Sequence, residues 1–186
     1  HRIKKAVEFI TGYWIFKRSH LPKGVDLIID LENEFKNRRI EVIFDVGANT
    51  GQSVEYFKTF FPKATIYSFE PVKSTFDQLK QLSKTYSGVI FENIGLGSKP
   101  EKTSIYIEKH SSWNSIIPNE QAPGATTEMI ELNTVDNYIR QKDLSEVNLL
   151  KIDTEGFDLE VLKGAQVALS ENKISFIDVE IGLYSE

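Results

Sequence analysis

From residue 41 onward, short runs of apolar residues alternate with segments of helical periodicity. Strands that are buried on both faces have continuous apolar sequences, and helices between them form the crossovers of a parallel sheet. Because such crossovers are right-handed, the sheet is expected to be doubly wound, with helices on both faces. The sequence therefore predicts an α/β fold with a mostly parallel sheet. Its strands are predicted at residues 41–47, 64–70, 88–93, 148–153 and 174–180.

The segments between these strands predict helices over residues 52–60, 74–85 and 158–169. Thr134 precedes a further short helical segment and is a residue type that accepts a hydrogen bond from the first free N–H groups of a helix, so it is predicted as an N-cap. Residues 103–108 alternate apolar and polar side chains, which predicts an additional strand at the margin of the sheet.

The first 38 residues have a different pattern and are predicted to form a helical segment in front of a domain over residues 39–186. Four apolar residues recur there at helical spacing among basic ones: Ile3, Val7, Ile10 and Trp14. A second helix is predicted at residues 25–37. The first helix fits two interpretations, a basic amphipathic helix that contacts a membrane surface or a partner, or a surface helix packed on the domain.

Charge and composition exclude several classes of protein and site. The chain contains no cysteine, so it has neither disulfides nor a thiolate metal site. Residues 1–23 carry six basic side chains and one acidic one, a charge of +5, so the net charge of −5 leaves −10 for the remainder. Without a broad basic face, no nucleic-acid partner is expected.

No apolar run approaches the roughly 20 residues that span a bilayer, and a secretory signal is not apparent, so the expectation is a cytoplasmic protein without a transmembrane segment.

The first predicted strand ends in a glycine-containing turn, Asp45-Val-Gly-Ala-Asn-Thr-Gly51. In doubly wound sheets, ligands bind beyond the carboxyl ends of the strands, next to a turn of this kind. Glycine lets the backbone approach the ligand closely, and asparagine tolerates left-handed backbone conformations. A dinucleotide site would require G-x-G-x-x-G, with glycine where Asn49 and Gln52 stand. An NAD-dependent oxidoreductase is therefore a disfavoured alternative, and no P-loop motif occurs.

Two acidic residues at the strand ends favour a cationic ligand over a phosphate. Asp45 ends the first strand with a carboxylate that is well placed to meet an amino group. Glu70 lies at the end of the second strand, 25 positions further on, where a carboxylate can accept hydrogen bonds from both ribose hydroxyls. S-adenosylmethionine carries an ammonium, a sulfonium and a ribose but no phosphate, and it is the predicted cofactor. The alternative for Glu70 is a simple surface turn before Pro71.

Four sequence blocks resemble, in this order, the FkbM family of methyltransferases. They are Asp45-Val-Gly-Ala-Asn-Thr-Gly-Gln-Ser53, Phe69-Glu-Pro71, Asn93-Ile-Gly-Leu-Gly97 and Leu150-Lys-Ile-Asp-Thr-Glu-Gly156, and residues 159–165 continue the similarity. The resemblance implies a Rossmann-like class I methyltransferase that methylates hydroxyl oxygens of small molecules or glycans. It leaves open whether the acceptor is a sugar, a lipid-linked glycan, a polyketide or a phenolic compound.

The same resemblance implies a set of cofactor-binding residues. The methionine portion would contact Asp45, Gly47, Asn49 and Gly51, with Ala48 among them. Glu70 would hold the ribose with Pro71 beside it, and the adenine would be bordered by Asn93, Ile94 and Leu96. Class I members usually have seven strands, and this chain stops just after the fifth, so the last helix and the C-terminal strand pair are expected to be lacking.

Methyl transfer to an unactivated hydroxyl needs a base, or a metal ion that lowers the pKa of the hydroxyl. Asp153 and Glu155 follow the fourth predicted strand, and Glu180 lies near the end of the fifth. For Asp153 the alternatives are the base, a cofactor contact, a shared metal site with Glu155 or Glu180, or a cap of the next helix. A divalent metal is not favoured, because no histidine-rich spacing supports it.

His110 is another candidate base, because imidazole titrates near neutral pH. It opens a polar stretch in a long connection, and such connections often carry substrate recognition. Trp113 is predicted to stack on an acceptor ring, while Asn114 and Ser115 offer hydrogen bonds. The alternative is a surface histidine with no catalytic role.

A non-catalytic interpretation belongs to a different class of protein. In it, the Rossmann-like domain docks a partner or a membrane through the basic N-terminal helix. Binding of S-adenosylhomocysteine, the demethylated product, separates this interpretation from an enzyme.

Overall fold

The computed structural model describes residues 2–14, 16, 21–36, 38–107, 116 and 126–179. The chain separates into two compact units, His1–Arg39 and Ile40–Glu186. The first unit contains α1 (Arg2–Thr11) and α2 (Leu27–Phe35). Asp26 caps α2, because its carboxylate accepts a hydrogen bond from the N–H of Ile29 at 3.0 Å. In the part of the chain described, no helix is long and apolar enough to cross a bilayer.

The second unit alternates strands and helices. Its elements are β1 (Val42–Val46), α3 (Gln52–Phe60), β2 (Thr65–Phe69), α4 (Lys73–Leu79) with a 3₁₀ turn (Lys80–Lys84), β3 (Val89–Glu92), β4 (Gly95–Leu96), β5 (Glu101–Ile107), β6 (Thr126–Asn133), α5 (Val135–Gln141), β7 (Leu149–Ile152), α6 (Asp158–Lys163), α7 (Gln166–Ser170) and β8 (Ile177–Val179).

Among the residues that the structure describes, five parallel strands form the main sheet in the order β3-β2-β1-β7-β8. β2 and β3 follow β1 on one side of it, and β7 and β8 lie on its other side. The topological switch point of the sheet therefore lies between β1 and β7. Residue pairing between β1 and β2 runs from Val42 with Thr65 to Val46 with Phe69, which places the carboxyl ends of both strands level. The predicted α/β fold with a mostly parallel sheet and flanking helices is therefore confirmed.

An aromatic cluster fills the core beneath these strand ends. The ring of Phe44 lies 5.3 Å from Tyr67, 5.4 Å from Phe69 and 5.6 Å from Tyr138. The pairs meet edge to face, the geometry that aromatic quadrupoles favour. All four rings are buried. Because they come from β1, β2 and α5, the cluster fixes the two strands that carry the predicted acidic residues.

The strand predicted over residues 103–108 has a different place from the one expected. β5 pairs antiparallel with β6, and β6 pairs with β4, in a separate three-stranded sheet. Five of the eight residues of β6 are polar, and it buries only Ile130 and Leu132. A strand with this composition is suited to a sheet with one solvent-facing side, and its local pattern does not predict a partner for β5.

The single helix predicted over residues 158–169 is two helices. α6 ends before Gly164, where a Cβ atom would lie 2.0 Å from the carbonyl oxygen of Gly97. This close backbone approach interrupts the helix. The predicted N-cap is confirmed, since the hydroxyl of Thr134 accepts a hydrogen bond from the N–H of Asn137 at 3.0 Å.

Candidate cofactor site

Backbone hydrogen bonds hold the turn after β1 against the end of β2. The N–H groups of Gly47 and Ala48 both donate to the carbonyl oxygen of Phe69, at 3.1 and 3.0 Å. Three residues of the turn have positive φ angles, 81° at Gly47, 47° at Asn49 and 101° at Gly51. Glycine and asparagine adopt this region more easily than other residues. The sequence of the turn therefore matches its backbone.

Gly47 also lets the chain that follows β7 approach the turn. A Cβ atom on Gly47 would lie 1.9 Å from the carbonyl oxygen of Asp153. The N–H of Asp153 donates to the carbonyl oxygen of Val46 at 3.0 Å. The fold thus brings two predicted site segments, distant in sequence, into backbone contact.

Glu70 lies directly after β2 and its carboxylate is tied to the turn. Oε2 accepts a hydrogen bond from the N–H of Asn49 at 3.1 Å, and Oε1 accepts one from the N–H of Val72 at 2.9 Å. The residue is only 6% exposed. Burial raises the pKa of Glu70 to about 7, although the two backbone hydrogen bonds oppose the shift. Because Glu70 is buried and hydrogen-bonded to the glycine turn, it does more than begin a surface turn before Pro71.

Asp45 is fully buried within β1. Its Oδ2 accepts a hydrogen bond from the hydroxyl of Ser53 at 2.7 Å, while Oδ1 has no hydrogen-bond partner and lies 3.8 Å from the ammonium of Lys151. Burial raises the pKa of Asp45, and the charge of Lys151 is the main opposing influence. The side chain of Asp45 thus lies beneath the turn without exposed surface, and its contact with an amino group of the cofactor stays a prediction.

Lys151, which the sequence reasoning missed, connects Asp45 with Asp153. Its Nζ donates a hydrogen bond to Oδ2 of Asp153 at 3.0 Å. Strand register places it beside Asp45 on one side and Asp178 on the other. Burial alone would lower the pKa of Lys151, but the carboxylates around it raise the pKa overall, so the ammonium stays charged. The sequence does contain a signal for this residue, because Lys151 lies inside the apolar strand β7. A charge in such a position needs a partner.

Asp153 is not a helix cap. The N–H and hydroxyl of Thr154 donate instead to Asp158, at 3.0 and 2.9 Å, and α6 begins at Asp158. The side chain of Asp153 is 33% exposed, so its carboxylate reaches the surface while Lys151 holds one oxygen. Glu155 is exposed in the next turn, with φ of 50°. The structure therefore brings Asp153, Asp45 and the glycine turn together.

The segment predicted to border the adenine has mainly structural contacts. The side-chain amide of Asn93 donates to the carbonyl oxygens of Glu70 and Pro71, both at 2.9 Å, and so fixes the backbone that carries Glu70. Ile94 packs against the main core. Leu96 is 2% exposed and lies inside that core. Its side chain therefore has a packing role, and the placement of the backbone of this segment beside the adenine stays a prediction.

Five predicted site residues lie outside the described part of the chain: His110, Trp113, Asn114, Ser115 and Glu180. Their roles stay predictions. Within the described ranges, no group of three or more histidine, aspartate or glutamate side chains is arranged to hold a metal ion.

The arrangement suits a ligand that carries both a cation and hydroxyl groups. Oδ1 of Asp45 is a buried carboxyl oxygen that has no hydrogen-bond partner and lies 3.8 Å from the ammonium of Lys151. Each oxygen of Glu70 accepts one backbone hydrogen bond and keeps a further lone pair. A phosphate would be repelled by both carboxylates. The chemistry of the turn therefore differs from that of a dinucleotide site.

Proteins with similar sequences are methyltransferases. Methyltransferase sdnD of Sordaria araneosa is 30% identical over 86% of this chain and 71% of its own length. The hexuronic acid methyltransferase AglP of Haloferax volcanii is 31% identical over 76% of this chain, and the match spans 56% of AglP. Methyltransferase 1 of Beauveria bassiana is 28% identical over 66% of this chain and 57% of its own length. The chain thus spans little more than half the length of the last two relatives.

A solved structure has a similar fold. The FkbM methyltransferase of Methylobacillus flagellatus matches 72% of this chain and 31% of its own chain, with a TM-score of 0.50 and 21% identity. The family profile described as the methyltransferase FkbM domain matches residues 45–185, starting at the acidic residue before the glycine turn. The chain belongs to the FkbM methyltransferase family.

Proposed function

We propose that this chain binds S-adenosylmethionine through residues 39–186 and transfers the methyl group to a hydroxyl oxygen of a small molecule or glycan. The observation that carries the proposal is the pair of buried carboxylates, Asp45 and Glu70, at the level ends of β1 and β2. Membership of the family supports methyl transfer. The acceptor class is supported by AglP, which is named for a hexuronic acid.

Different residues at the ends of β1 and β2 would contact different parts of the cofactor. Glu70 accepts hydrogen bonds from the ribose hydroxyls through its two free lone pairs. Asp45 supplies the negative charge that favours the ammonium. The backbone from Gly47 to Gly51 lines the methionine portion, including Ala48 and Asn49. When bound, S-adenosylmethionine supplies the methyl group as an electrophile.

Asp153 is the proposed base. Lys151 holds one of its oxygens at 3.0 Å, which leaves the other to take the proton of the acceptor hydroxyl. Asp153 would accept the proton of the acceptor hydroxyl as that oxygen takes the methyl group, and S-adenosylhomocysteine would be the other product. Lys151 is steadied on its other side by Asp45 and so acts as a positioning residue. Further proposed bases are Glu155, Glu180 and His110, and proposed acceptor contacts are Trp113, Asn114 and Ser115.

Calorimetric titration of S-adenosylhomocysteine into the purified chain tests the cofactor assignment. The expected result is micromolar binding, with no binding of NAD⁺ under the same conditions. Binding of NAD⁺ alone would favour the oxidoreductase. A folded chain that binds neither ligand would contradict the proposal and favour the non-catalytic interpretation.

The affinity for S-adenosylhomocysteine is expected to fall in acid. Ribose hydroxyls donate best to an ionised carboxylate, and the pKa of Glu70 is raised by burial to about 7. If only the ionised form binds, the Kd rises about tenfold per pH unit below this pKa, so it should be roughly 30-fold weaker at pH 5.5 than at pH 8. Titration calorimetry at both pH values measures the ratio.

Glu70→Gln is the matched control, because the amide does not titrate. Its Kd should change much less between the two pH values, and an equal change in both proteins would contradict the assignment to Glu70. Glu70 itself does not favour unfolding in acid, and circular dichroism at pH 5.5 checks that the protein stays folded. Because the pKa of Glu70 is raised from 4.5 to about 7, its contribution to stability is fully present below pH 4.5 and is lost as the pH rises through 7.

A further inference from the structure

Helix α1 presents large apolar side chains to solvent. The exposed fractions are 81% for Ile3, 90% for Phe9 and 80% for Ile10. Trp14, just beyond the end of the helix, is 82% exposed. A single exposed apolar residue is ordinary, but several on one short segment form a patch of the kind that marks an interaction site.

Most of the patch lies on one side of the helix. Residues three and four positions apart share a helix face, so Ile3, Val7 and Ile10 form a stripe, while Phe9 lies outside it. Lys4 and Glu8 also lie away from that stripe and form an ion pair at 3.5 Å. A stripe of this kind beside charged residues is the pattern of a helix that lies in the plane of a membrane surface.

Aromatic rings and a cation lie together beside the end of α1. The ring of Trp14 stacks on Phe16 with the centroids 6.2 Å apart, and the ammonium of Lys4 lies 5.3 Å from the centroid of Phe16. Tryptophan is enriched at the headgroup level of bilayers, and lysine can bury its apolar stem while its charge stays in water. Both residue types therefore suit the boundary between lipid and water.

The distribution of charge indicates which kind of partner binds the exposed apolar patch. Residues 1–23 carry +5 and the remainder of the chain carries −10. An anionic bilayer attracts the first segment and repels the rest, which confines contact to the N-terminal residues. A second copy that docked with its own N-terminal segment would bring the same positive charge against this one, so symmetric self-association through it is disfavoured.

We propose that α1 and Trp14 dock the protein on the surface of anionic phospholipid bilayers. The apolar stripe and Trp14 would enter the boundary between headgroups and acyl chains, and the lysines would face the lipid phosphates. This surface is separate in sequence from the proposed cofactor site, so its test does not depend on methyl transfer.

Co-sedimentation with vesicles tests the proposal. The protein should bind vesicles that contain about one-third phosphatidylglycerol at least about tenfold more strongly than pure phosphatidylcholine vesicles. High salt should weaken the binding to the anionic vesicles, because it screens the lysines. Equal binding to both kinds of vesicle, or binding to neither, would overturn the proposal.

Variants locate the contact on α1. Ile10→Asp places a charge in the apolar stripe and should weaken binding by about tenfold or more, while Lys5→Glu should reduce the preference for anionic vesicles. Val25→Asp is the matched control, because Val25 is 62% exposed in the same unit and outside the stripe, and it should bind normally. Circular dichroism checks that each variant is folded. If Ile10→Asp binds as well as Val25→Asp, or instead dissociates a dimer detected without lipid, the membrane assignment is wrong.

Discussion

Glu70→Ala is expected to weaken the binding of S-adenosylhomocysteine by about 100-fold or more. Hydrogen bonds to a charged group contribute about 1.5–3 kcal/mol each, and two ribose hydroxyls would lose their acceptor. Each 1.4 kcal/mol corresponds to a tenfold change in Kd. The substitution also releases the N–H groups of Asn49 and Val72, so the turn loses one of its anchors. Titration calorimetry at pH 8 measures the change.

Asp136→Ala is the control for this experiment. Asp136 also accepts two backbone hydrogen bonds, from the N–H groups of Val167 at 3.0 Å and Ala168 at 2.8 Å, but it belongs to α5 and not to the turn. Its Kd should stay within about threefold of the wild type. Thermal unfolding of both variants separates loss of binding from loss of fold. A folded Glu70→Ala protein with unchanged affinity would show that this carboxylate does not hold the ribose.

Gly47→Ala is expected to destabilise the second unit by about 3–5 kcal/mol. The residue has φ of 81°, and an added Cβ would lie 1.9 Å from the carbonyl oxygen of Asp153. Left-handed backbone alone costs a non-glycine residue about 1–2 kcal/mol. The rest of the destabilisation comes from the clash with the backbone of Asp153. Relieving it requires the two backbone segments to move apart, whereas a clash with a flexible side chain can be relieved by a change of rotamer. Urea denaturation followed by far-ultraviolet circular dichroism measures the loss.

Gly88→Ala is the matched substitution within the same unit. Gly88 has φ of 71°, and the nearest atom to an added Cβ is the flexible end of Lys58 at 3.1 Å. It should lose only about 1–2 kcal/mol, the cost of the left-handed backbone. If the two variants lose the same stability, the close contact between Gly47 and Asp153 does not limit the fold.

The glycine turn and the main strands could be predicted from the sequence, because their signals are local. Apolar runs define β1, β2 and β7, and the residues at positive φ in the turn are the types that tolerate it. The N-cap at Thr134 is also local, since its hydrogen bond reaches only to Asn137.

The parts that could not be predicted depend on which strands are neighbours. The contact of Lys151 with Asp45 follows from the register of β1 against β7, and no local pattern encodes that register. β6 is too polar to be recognised until β5 is seen to pair with it. Leu96 looks like a ligand contact from its place in a motif, yet it is enclosed by residues from distant segments. Burial of this kind is visible only once the chain has folded.

The backbone contact between Gly47 and Asp153 bears on how members of such a family come to act on different acceptors. The turn proposed to carry the methyl donor and the residue proposed to take the proton move as one piece, so natural variation cannot reposition one without damaging the other. Under the proposed function, residues that select the acceptor would lie in parts of the chain that reach the strand ends from outside the main sheet. The smaller sheet is such a part, because it packs on Val72 and Phe157 beside those ends.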